Sequence, residues 1–375
     1  MVKNLILAIN PGSTSTKLAI FSEEKMLEVE NVSHKPEELS KFKNIYDQKD
    51  MRISVVEKWL KSKIDPKDIV AIVGRGGLLR PMPGGTYEVS DQMIEDLKIG
   101  YQGDHASNLG GIIAKELSQK FDVPAYIVDP VSVDEMDDLA RFSGTPLIKR
   151  RSLVHALNIK AVCRKVCDKI NKNVEDSSFV IAHLGGGISV VPMKNGKIID
   201  CSNAIQQGPF SPERAGCIPN GDFAKLCYSG KYTYDEMKKN LIGRGGLVAY
   251  LGTNDAREVD KMIEDGNEEA KLVFHAMAYQ IAKEIGAMAT VLKGKVDRIV
   301  LTGGLAYDPY LVEWIKEMVS FIAPMEIVPG ENEMLALAQG ALRVINGEEK
   351  AKVYEDEVQL EWVKILKNYS VNYQH

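Results

Sequence analysis

The sequence predicts an α/β protein built from two similar halves, and three observations favour this class. Strands and helices alternate along the chain, as they do in layered α/β folds. The order strand, polar turn, strand occurs at residues 5–21 and again at 179–193. A strand that ends in paired glycines occurs at 69–77 and again at 299–304. Two such halves imply a cleft between them, although any α/β protein can show loosely repeating strands and glycine turns.

The elements of each half follow from aliphatic runs, helical periodicity and turn residues. In the first half, strands are predicted over 5–9, 17–21, 69–73 and 125–128, and helices over 53–60, 91–98, 106–117 and 153–170. In the second half, strands are predicted over 178–184, 188–193, 298–301 and 326–328, and helices over 255–264, 268–292, 309–319 and 333–344. We expect Ser152 to cap the helix at 153–170. A loop is expected over 208–221 and a short amphipathic tail over 358–366, and the charged segment 23–49 receives no element.

Composition argues against several classes of protein. The chain has 375 residues with 47 basic against 52 acidic side chains, and its net charge of −5 disfavours a nucleic-acid binder. Its five cysteines suggest neither a disulfide framework nor a zinc site. The N-terminus lacks a signal segment, and no apolar run approaches the ~20 residues of a membrane span. We therefore expect a cytoplasmic, globular protein of two domains that does not associate with a membrane.

Common nucleotide-binding and hydrolase motifs are absent. The sequence contains no GxxxxGK[ST], no GxGxxG in the dinucleotide arrangement, no HExxH, no GxSxG and no protein-kinase signature. If a nucleotide binds to this protein, hairpin turns and glycine loops must bind it.

Two turns have the composition of phosphate-binding loops. Residues 10–17, NPGSTSTK, join two strands through small hydroxyl side chains and exposed backbone N–H groups. Taken alone, this turn is more simply an ordinary hairpin. The turn at 183–187, HLGGG, is the same element in the second half, and its glycines let the backbone approach a ligand closely. Two such turns facing each other across a cleft would suit a polyphosphate.

Two arginines and two carboxylates at the ends of predicted elements are candidates for chemistry. Arg75 and Arg214 lie on loops, where a guanidinium group can bind carboxylate or phosphate oxygens, although a structural ion pair explains each equally well. Asp129 ends a strand and Glu333 begins a helix, and both are candidate Mg²⁺ ligands. Glu333 could instead only favour the helix dipole. His105 precedes a helix and could be no more than a cap.

Five segments in the same order resemble the acetate and butyrate kinase family, and they are NPGSTSTKLAIF, HASNLGG, HLGGGISV, GPFSPERAGCIP and GGLAYD. The stretches GRGGLLRPMPGGTYEVS and GPFSPERAGCIPNGD are closer to the butyrate kinase branch than to the acetate kinases. The resemblance covers essentially the whole chain, and the order and spacing of the motifs are more specific than any one of them. It implies the acetate and sugar kinase/Hsp70/actin fold, in which two ribonuclease-H-like domains hold a nucleotide between them. One domain would comprise residues 1–150 with C-terminal helices from about 334 to 375, and the other residues 151–333.

The resemblance also implies an activity, in which ATP phosphorylates a short-chain fatty acid to give ADP and an acyl phosphate. Mg²⁺ would be the cofactor, and the enzyme would be a homo-oligomer of two or more copies. Phosphate or nucleotide binding is implied for Asn10, Ser13, Ser15, Lys17, Gly185, Gly186, Gly187, Asp255, Arg257, Gly304 and Ala306. Catalysis is implied for Arg75, Asp129, His183 and Arg214, contact with the substrate or its phosphate for His105, and metal binding for Glu333 and Asp129.

The sequence departs from the acetate kinase pattern at three places. Gly186 replaces the asparagine of that branch's loop, and Tyr307-Asp308 stands where it has Glu-Asn. His155 is the residue nearest to a further histidine of the acetate kinases, but its surroundings match poorly. We interpret His155 as a helix residue without contact to the site.

The expected mechanism is direct in-line attack of the carboxylate on the γ-phosphorus. A carboxylate is ionised at pH 7 and needs no general base, so the enzyme has to align the groups and neutralise charge. Arg75, Arg214 and His183 would stabilise the equatorial oxygens. The alternatives are a kinase of the same fold that acts on acetate, propionate or an alcohol, and a nucleotide-gated scaffold without catalysis. The two loop arginines favour an anionic acceptor.

Overall fold

The described chain, residues 4–358 of a computed structural model, forms two mixed β-sheets covered by helices, which confirms the predicted α/β class. The strands are β1 (Leu5–Pro11), β2 (Ser15–Ser22), β3 (Lys25–Ser33), β4 (Ile69–Arg75), β5 (Thr86–Glu88), β6 (Ala125–Val128), β7 (Ser178–Leu184), β8 (Ile188–Lys194), β9 (Lys197–Ile198), β10 (Arg298–Gly303) and β11 (Met325–Pro329). The α-helices are α1 (Pro36–Leu39), α2 (Lys49–Lys63), α3 (Asp91–Ile99), α4 (Asn108–Phe121), α5 (Ala156–Lys169), α6 (Asn220–Cys227), α7 (Tyr234–Leu241), α8 (Leu247–Leu251), α9 (Ala256–Glu264), α10 (Glu268–Val291), α11 (Pro309–Val319), α12 (Glu333–Ile345) and α13 (Tyr354–Glu357).

The two sheets repeat one strand order. The first runs β3-β2-β1-β4-β6-β5, and the second, in the same direction, runs β9-β8-β7-β10-β11. In each sheet a hairpin of antiparallel strands is followed by two strands parallel to its first member. The predicted duplication is therefore a property of the topology and not only of the glycine turns.

The chain divides into two compact units. Among the described residues, unit 1 contains 4–134 and 332–358, and unit 2 contains Glu135–Glu331. The first boundary falls earlier than the expected one at residue 150, because Glu135 is bound within unit 2. Its carboxylate accepts hydrogen bonds from Lys160 Nζ at 2.9 Å and from the Ile198 N–H at 2.8 Å.

Unit 1 is completed by a helix from the far end of the sequence. Helix α12 packs on β1, β4 and β6. A Cβ atom at Gly340 would overlap the side chain of Val128, so a glycine is needed for this close approach to β6. A similar approach brings α4 onto β4, where a Cβ atom at Gly74 would overlap the carbonyl group of Gly110. These contacts hold α12 and α4 close to the sheet that contains β4.

Unit 2 has its own apolar core around the long helix α10. The buried face of α10 includes Phe274, Met277, Ile281 and Ile285, which recur at helical spacing. This face packs on β7 and β8, the hairpin that carries the HLGGG turn. Helix α10 therefore packs on the two strands that the HLGGG turn connects.

The charged segment 23–49, to which we assign no element, contains β3 and α1. Strand β3 is an edge strand beside β2, and most of its side chains are exposed or half-buried. It therefore lacks the alternation that predicts a strand. Its charges, among them Glu28 and Glu30, suit an edge because they discourage pairing with another chain.

Other boundaries also differ from the prediction. Helix α5 begins at Ala156 with His155 at the N-cap position, so the expected cap at Ser152 is wrong. The loop predicted over 208–221 ends where α6 begins, and helices α6 to α8 are missed because each is eight residues or shorter. Apart from Val358, the predicted tail lies outside the described residues. No helix within residues 4–358 is long and apolar enough to cross a membrane.

Candidate active site

A polar cluster lies where β1 and β4 end in unit 1. Parallel strands bring Asn10, near the end of β1, and Arg75, the last residue of β4, to one edge of the sheet. Glu333 begins α12 beside them. The Asn10 Nδ2 donates to Glu333 Oε2 at 2.7 Å, and Arg75 Nη1 donates to Glu333 Oε1. The Arg75 and Glu333 side chains are both mostly buried, which strengthens the attraction between their charges.

The NPGSTSTK turn lies on the same hairpin. Only Gly12–Thr14 leave the strands, because β1 extends to Pro11 and β2 begins at Ser15. The carbonyl oxygens of Ser13 and Ser15 both accept hydrogen bonds from Arg52 of α2. Lys17 is exposed on β2 and pairs with Asn10 across the hairpin.

Asp129 and His105 both make contacts to the backbone. Asp129 is buried at the end of β6 with a positive φ of 38°, and its Oδ1 accepts from the Gly85 N–H at 2.7 Å. His105 is exposed, and its Nδ1 lies 2.9 Å from Ser107 Oγ and accepts from the Ser107 N–H at 3.1 Å. This contact orders the turn before α4, but the N-cap residue of α4 is Ser107, and no side chain among the described residues caps the helix.

The candidate site of unit 2 contains two stacked imidazoles. His183, near the end of β7, and His155, at the start of α5, have ring centroids 3.9 Å apart and planes 10° from parallel. His183 is buried, and its Nδ1 lies 2.9 Å from the Asn158 amide nitrogen. Asn158 also donates to Thr302 Oγ1 at 3.1 Å. His155, interpreted from the sequence as a helix residue, is the N-cap residue of α5 and contacts His183 through this stack.

These contacts define the tautomer of His183. An amide nitrogen only donates, so Nδ1 accepts and the neutral ring carries its proton on Nε2. The Nε2 atom lies 3.0 Å from Glu331 Oε1 but not in hydrogen-bonding alignment. His183 can thus present an N–H donor to an anion. Nothing in the sequence near His155 signals the stack, because the packing of α5 on β7 creates it.

Arg214 is held against the HLGGG turn. Its Nη1 donates to the Ala204 carbonyl oxygen at 2.7 Å, and a Cβ atom at Gly187 would overlap its guanidinium group. The Nε atom of Arg214 is buried without an acceptor among residues 4–358. Burial lowers the pKa of Arg214, and the charge of Glu213 partly opposes that shift. The guanidinium is therefore a partly desolvated cation next to a glycine turn.

A cavity of about 750 Å³ lies within unit 2. The lining is formed by Gly185, Gly186, Pro212, Asn254, Asp255, Ala256, Arg257, Asp260, Gly304, Leu305, Tyr307, Asp308 and Pro309. The lining combines glycines of two loops, at 185–186 and at 304, with polar side chains at the start of α9. The volume is that of a typical small-molecule site.

The three aspartates of this cavity lie in different electrostatic environments. Asp255, the N-cap of α9, accepts from Arg257 Nη2 at 2.5 Å, and this hydrogen bond holds the pKa of Asp255 below its ordinary value. Asp260 and Asp308 face each other instead. Burial, followed by the nearby charge of Asp308, raises the pKa of Asp260 to about 7. Burial also raises the pKa of Asp308.

Comparisons with known proteins decide the family. Residues 145–353 match the sequence profile of the acetokinase family. Butyrate kinase 2 of Clostridium acetobutylicum is 53% identical over 356 residues, which cover 94% of this chain and 100% of that protein. The chain belongs to the acetokinase family. The probable butyrate kinase 2 of Caldanaerobacter subterraneus subsp. tengcongensis is also 53% identical to this acetokinase, over 93% of the chain and 99% of that protein.

Solved structures confirm the fold of this acetokinase. The acetate kinase of Porphyromonas gingivalis aligns with a TM-score of 0.76 at 19% identity, covering 91% of this chain and 100% of that one. A propionate kinase of Francisella tularensis aligns with a TM-score of 0.73 at 20% identity, covering 90% and 98%. The duplicated ribonuclease-H-like fold is thus confirmed.

The structure brings together part of the residue set that the family resemblance implies. In unit 1 it groups Asn10, Arg75 and Glu333. In unit 2 it places Gly185, Gly186, Asp255, Arg257 and Gly304 around the cavity. Gly187 packs against Arg214 instead, and Ala306 is buried behind the lining. Sequence reasoning did not single out Arg52, Asn158, Asp260, Thr302 or Glu331, which contact or lie beside the candidate residues, and it noted Asp308 only as a departure from the acetate kinase pattern. Of these, only Asp308 has a local signal, because an acidic residue before Pro309 is typical of a helix start.

A magnesium ion that is shared with phosphate would need few ligands from the protein. Within residues 4–358, no group of three or more His, Cys, Asp or Glu side chains is arranged to hold a metal ion. Mg²⁺ commonly uses one or two carboxylates and takes its other ligands from water and substrate phosphates. Glu333, at the start of α12 beside the ends of β1 and β4, carries such a carboxylate, and its two oxygens accept from Asn10 and Arg75 in this structure.

Proposed function

We propose that this acetokinase transfers the γ-phosphate of ATP to the carboxylate of a short-chain fatty acid, giving ADP and an acyl phosphate. Butyrate, or a branched or shorter analogue, is the proposed acceptor. The observation that carries the proposal is the 53% identity to butyrate kinase 2 over the full length of that protein. Identity at this level over a whole chain supports a common reaction better than a shared fold does.

The proposed roles in unit 2 concern the nucleotide. The cavity would bind the nucleoside against the Asp255–Arg257 pair, and the backbone at Gly185, Gly186 and Gly304 would approach the phosphates. Arg214 and the Nε2–H of His183 would donate to oxygens of the transferred group. Both donors are preorganised, because Ala204 and Asn158 hold them before any ligand binds.

The proposed roles in unit 1 concern charge and the metal. Asn10 and the Ser13–Ser15 turn would contact phosphate oxygens, and Arg75 would bind the transferred group. Glu333, with Asp129, would hold Mg²⁺, which when bound neutralises charge on phosphate oxygens. Both oxygens of Glu333 accept hydrogen bonds, from Asn10 and Arg75, and Asp129 Oδ1 accepts from the Gly85 N–H, so either carboxylate would exchange a partner to bind the ion. The acceptor carboxylate is ionised at neutral pH and attacks the phosphorus without a base.

The test is a hydroxylamine-trapping assay with ATP, Mg²⁺ and straight and branched carboxylates of two to five carbons. Hydroxamate formation that peaks at butyrate or isobutyrate supports the proposal. Hydroxamate formation that peaks at acetate or propionate supports the proposed reaction but contradicts butyrate as the acceptor. Protein that binds ADP but forms no hydroxamate with any acid overturns the reaction. The Arg214→Ala variant, expected at about 1% of the wild-type rate, excludes a contaminating kinase.

The proposal includes a cytoplasmic enzyme that acts as a homo-oligomer of two or more copies. Light scattering on the purified full chain measures its mass in solution. A mass equal to one chain of 41.5 kDa at all concentrations contradicts this part of the proposal.

A further inference from the structure

Arg52, in α2, is a fully buried cation without an anionic partner. Its guanidinium donates to Gln48 Oε1 at 2.9 and 3.2 Å, to the Ser15 carbonyl oxygen at 2.9 Å and to Thr16 Oγ1 at 3.0 Å. A longer contact of 3.4 Å reaches the Ser13 carbonyl oxygen. All of these acceptors are neutral. Buried arginines are normally paired with carboxylates, so this one is an exception within residues 4–358.

No carboxylate is paired with Arg52 among the described residues. Burial is the cause that lowers the pKa of Arg52 to about 10, and no neighbouring carboxylate raises it. The side chain is therefore charged at neutral pH. His34 Nε2 lies 2.8 Å from Thr16 Oγ1. Burial, followed by the charge of Arg52, lowers the pKa of His34, and the charge of Glu38 partly opposes that shift. His34 is thus biased toward its neutral form, which leaves Arg52 as the cation of this network within residues 4–358.

Hydrogen bonds from Arg52 and His34 determine the orientation of the peptide groups in the NPGSTSTK turn. Arg52 binds the carbonyl oxygens of Ser13 and Ser15, and the His34 N–H donates to the Thr14 carbonyl oxygen at 2.8 Å. In a trans peptide, the C=O and the following N–H point in opposite directions. The N–H of Thr14 therefore points away from Arg52. Thr14 is exposed, and its N–H has no acceptor among the described residues.

We propose that Arg52 is a positioning residue for a phosphate group bound at the Gly12–Thr14 turn. Its guanidinium binds the carbonyl oxygens of Ser13 and Ser15 on the buried side of the turn. The N–H of Thr14 is thereby left facing away from Arg52, where it can donate to the phosphate. The charge of Arg52 attracts the anion from behind the turn. The identity of the anion rests on the proposed function, and the phosphate belongs either to the nucleotide or to the acyl phosphate.

A purely structural role explains the burial less well. Removing a cation from water is costly, and fixing a turn requires only neutral hydrogen-bond donors. A cation that is not paired with a carboxylate can still attract an incoming anion. This attraction is stronger when the surface between the two charges is partly desolvated than when water separates them. The inference thus depends on charge as well as on hydrogen bonding, and the two can be separated by substitution.

The test uses the full chain and three variants. Arg52→Lys keeps the positive charge but has fewer hydrogen-bond donors. Arg52→Gln removes the charge but keeps an amide donor. The matched control is Arg80→Gln, which makes the same change in net charge within unit 1. Arg80 is a different case because its Nε donates to Asp96 at 2.7 Å, so its replacement disturbs a buried ion pair and not the turn.

Calorimetry with inorganic phosphate measures the dissociation constant for each protein. We expect Arg52→Gln to weaken phosphate binding by about tenfold or more, the size of a partly screened charge interaction. We expect Arg52→Lys to weaken it by less than about threefold, and Arg80→Gln to leave it unchanged while lowering Tm. If Arg52→Gln does not fold, Arg52→Lys still decides the matter, because a tenfold loss with the charge retained overturns the electrostatic role.

Kinetics in the direction of ATP synthesis identify the source of the phosphate. A raised KM for butyryl phosphate in Arg52→Gln, with the KM for ADP unchanged, assigns the turn to the acyl phosphate. The reverse pattern assigns it to the nucleotide. Folded Arg52→Gln with wild-type phosphate affinity and both KM values unchanged overturns the inference, as does wild-type protein that binds no phosphate.

The outcomes also separate this inference from the proposed function. Phosphotransfer to a carboxylate that does not depend on Arg52 would support the proposed function and contradict the role of Arg52. Phosphate binding that depends on Arg52, without phosphotransfer to any carboxylate, would support the role of Arg52 and contradict the proposed function.

Discussion

His155 and His183 form one stacked unit, with their ring centroids 3.9 Å apart. Asn158 orders the inner ring by donating to His183 Nδ1, and Ser189 Oγ lies 3.0 Å from His155 Nδ1. The stack limits the orientations of His183, because the ring of His155 covers one of its faces. His155 would therefore act through His183, as a positioning residue.

The histidine pair gives the first prediction. We expect His183→Ala to lower kcat by about a hundredfold, the usual loss for one preorganised donor of about 3 kcal/mol. His155→Ala should lower kcat by less. The double variant should be no slower than His183→Ala alone, because the two residues act as one unit. Steady-state hydroxamate assays measure all three variants.

His275→Ala is the control for this series. His275 stacks on Trp314 with centroids 4.6 Å apart, so it also loses a ring contact within unit 2. We expect its kcat to equal that of the wild type. Losses from His155→Ala and His183→Ala that simply add would contradict the positioning role.

The glycines of the HLGGG turn give the second prediction. We expect Gly187→Ala to lower kcat by about a hundredfold, because the new methyl group displaces the guanidinium of Arg214. Gly221→Ala is the control, since Gly221 lies in α6 of unit 2, outside the proposed machinery, and its Cβ would meet no atom within 4 Å. The measurement is kcat, with circular dichroism to establish folding. A Gly187→Ala variant that stays as active as Gly221→Ala would show that Arg214 does not need this position.

The Glu333 carboxylate gives the third prediction. Glu333→Gln keeps an acceptor for Asn10 Nδ2 but removes the charge that pairs with Arg75. We expect kcat to fall by about a hundredfold, and the Mg²⁺ concentration for half-maximal rate to rise. Chelation by EDTA should abolish wild-type activity. The readout is rate against free Mg²⁺.

Glu326→Gln is the control for the metal titration. Its Oε2 binds Lys169 Nζ at 2.6 Å in unit 2, outside the proposed machinery. We expect its Mg²⁺ dependence to match the wild type. An unchanged Mg²⁺ dependence in Glu333→Gln would remove this residue from the metal site.

The Asp260–Asp308 pair gives the fourth prediction, which concerns stability against pH. Asp260 has a pKa of about 7 in the folded chain against 3.8 for an unperturbed group. Between these values the folded state binds more protons than the unfolded state, so the free energy of unfolding falls as pH rises from about 4 to about 7. We therefore expect Asp260→Asn to raise Tm at pH 8 more than at pH 5, because the asparagine amide can donate to Asp308 without ionising.

Calorimetry of the nucleotide-free chain at pH 5 and pH 8 measures this difference. Asp265→Asn, at the exposed C-terminal end of α9, is the control and should leave both Tm values unchanged. A gain for Asp260→Asn that is equal at the two pH values would contradict the shared-proton interpretation.

Local sequence patterns predict most of the elements that build the site. The strands at 125–128 and 178–184 and the helix at 309–319 have the predicted bounds, because aliphatic runs and a proline at a helix start are strong local signals. Strand β3 is missed because an exposed edge strand does not need alternating side chains. The short helices α6 to α8 are missed because a period of 3.6 residues cannot be recognised over two turns.

By itself, the sequence determines the α/β class, the duplicated hairpins and the family, because each depends on residues close together in the chain or on the order of short motifs. The tertiary structure alone decides that His155 covers His183, that Asp260 meets Asp308 and that, among the described residues, Arg52 lies behind the Gly12–Thr14 turn without a carboxylate. These pairings join residues that are 28, 48 and about 40 positions apart in the sequence. Burial then changes their chemistry, since a stacked imidazole, two buried carboxyl groups that face each other and a buried cation without an anion differ from the same side chains in water.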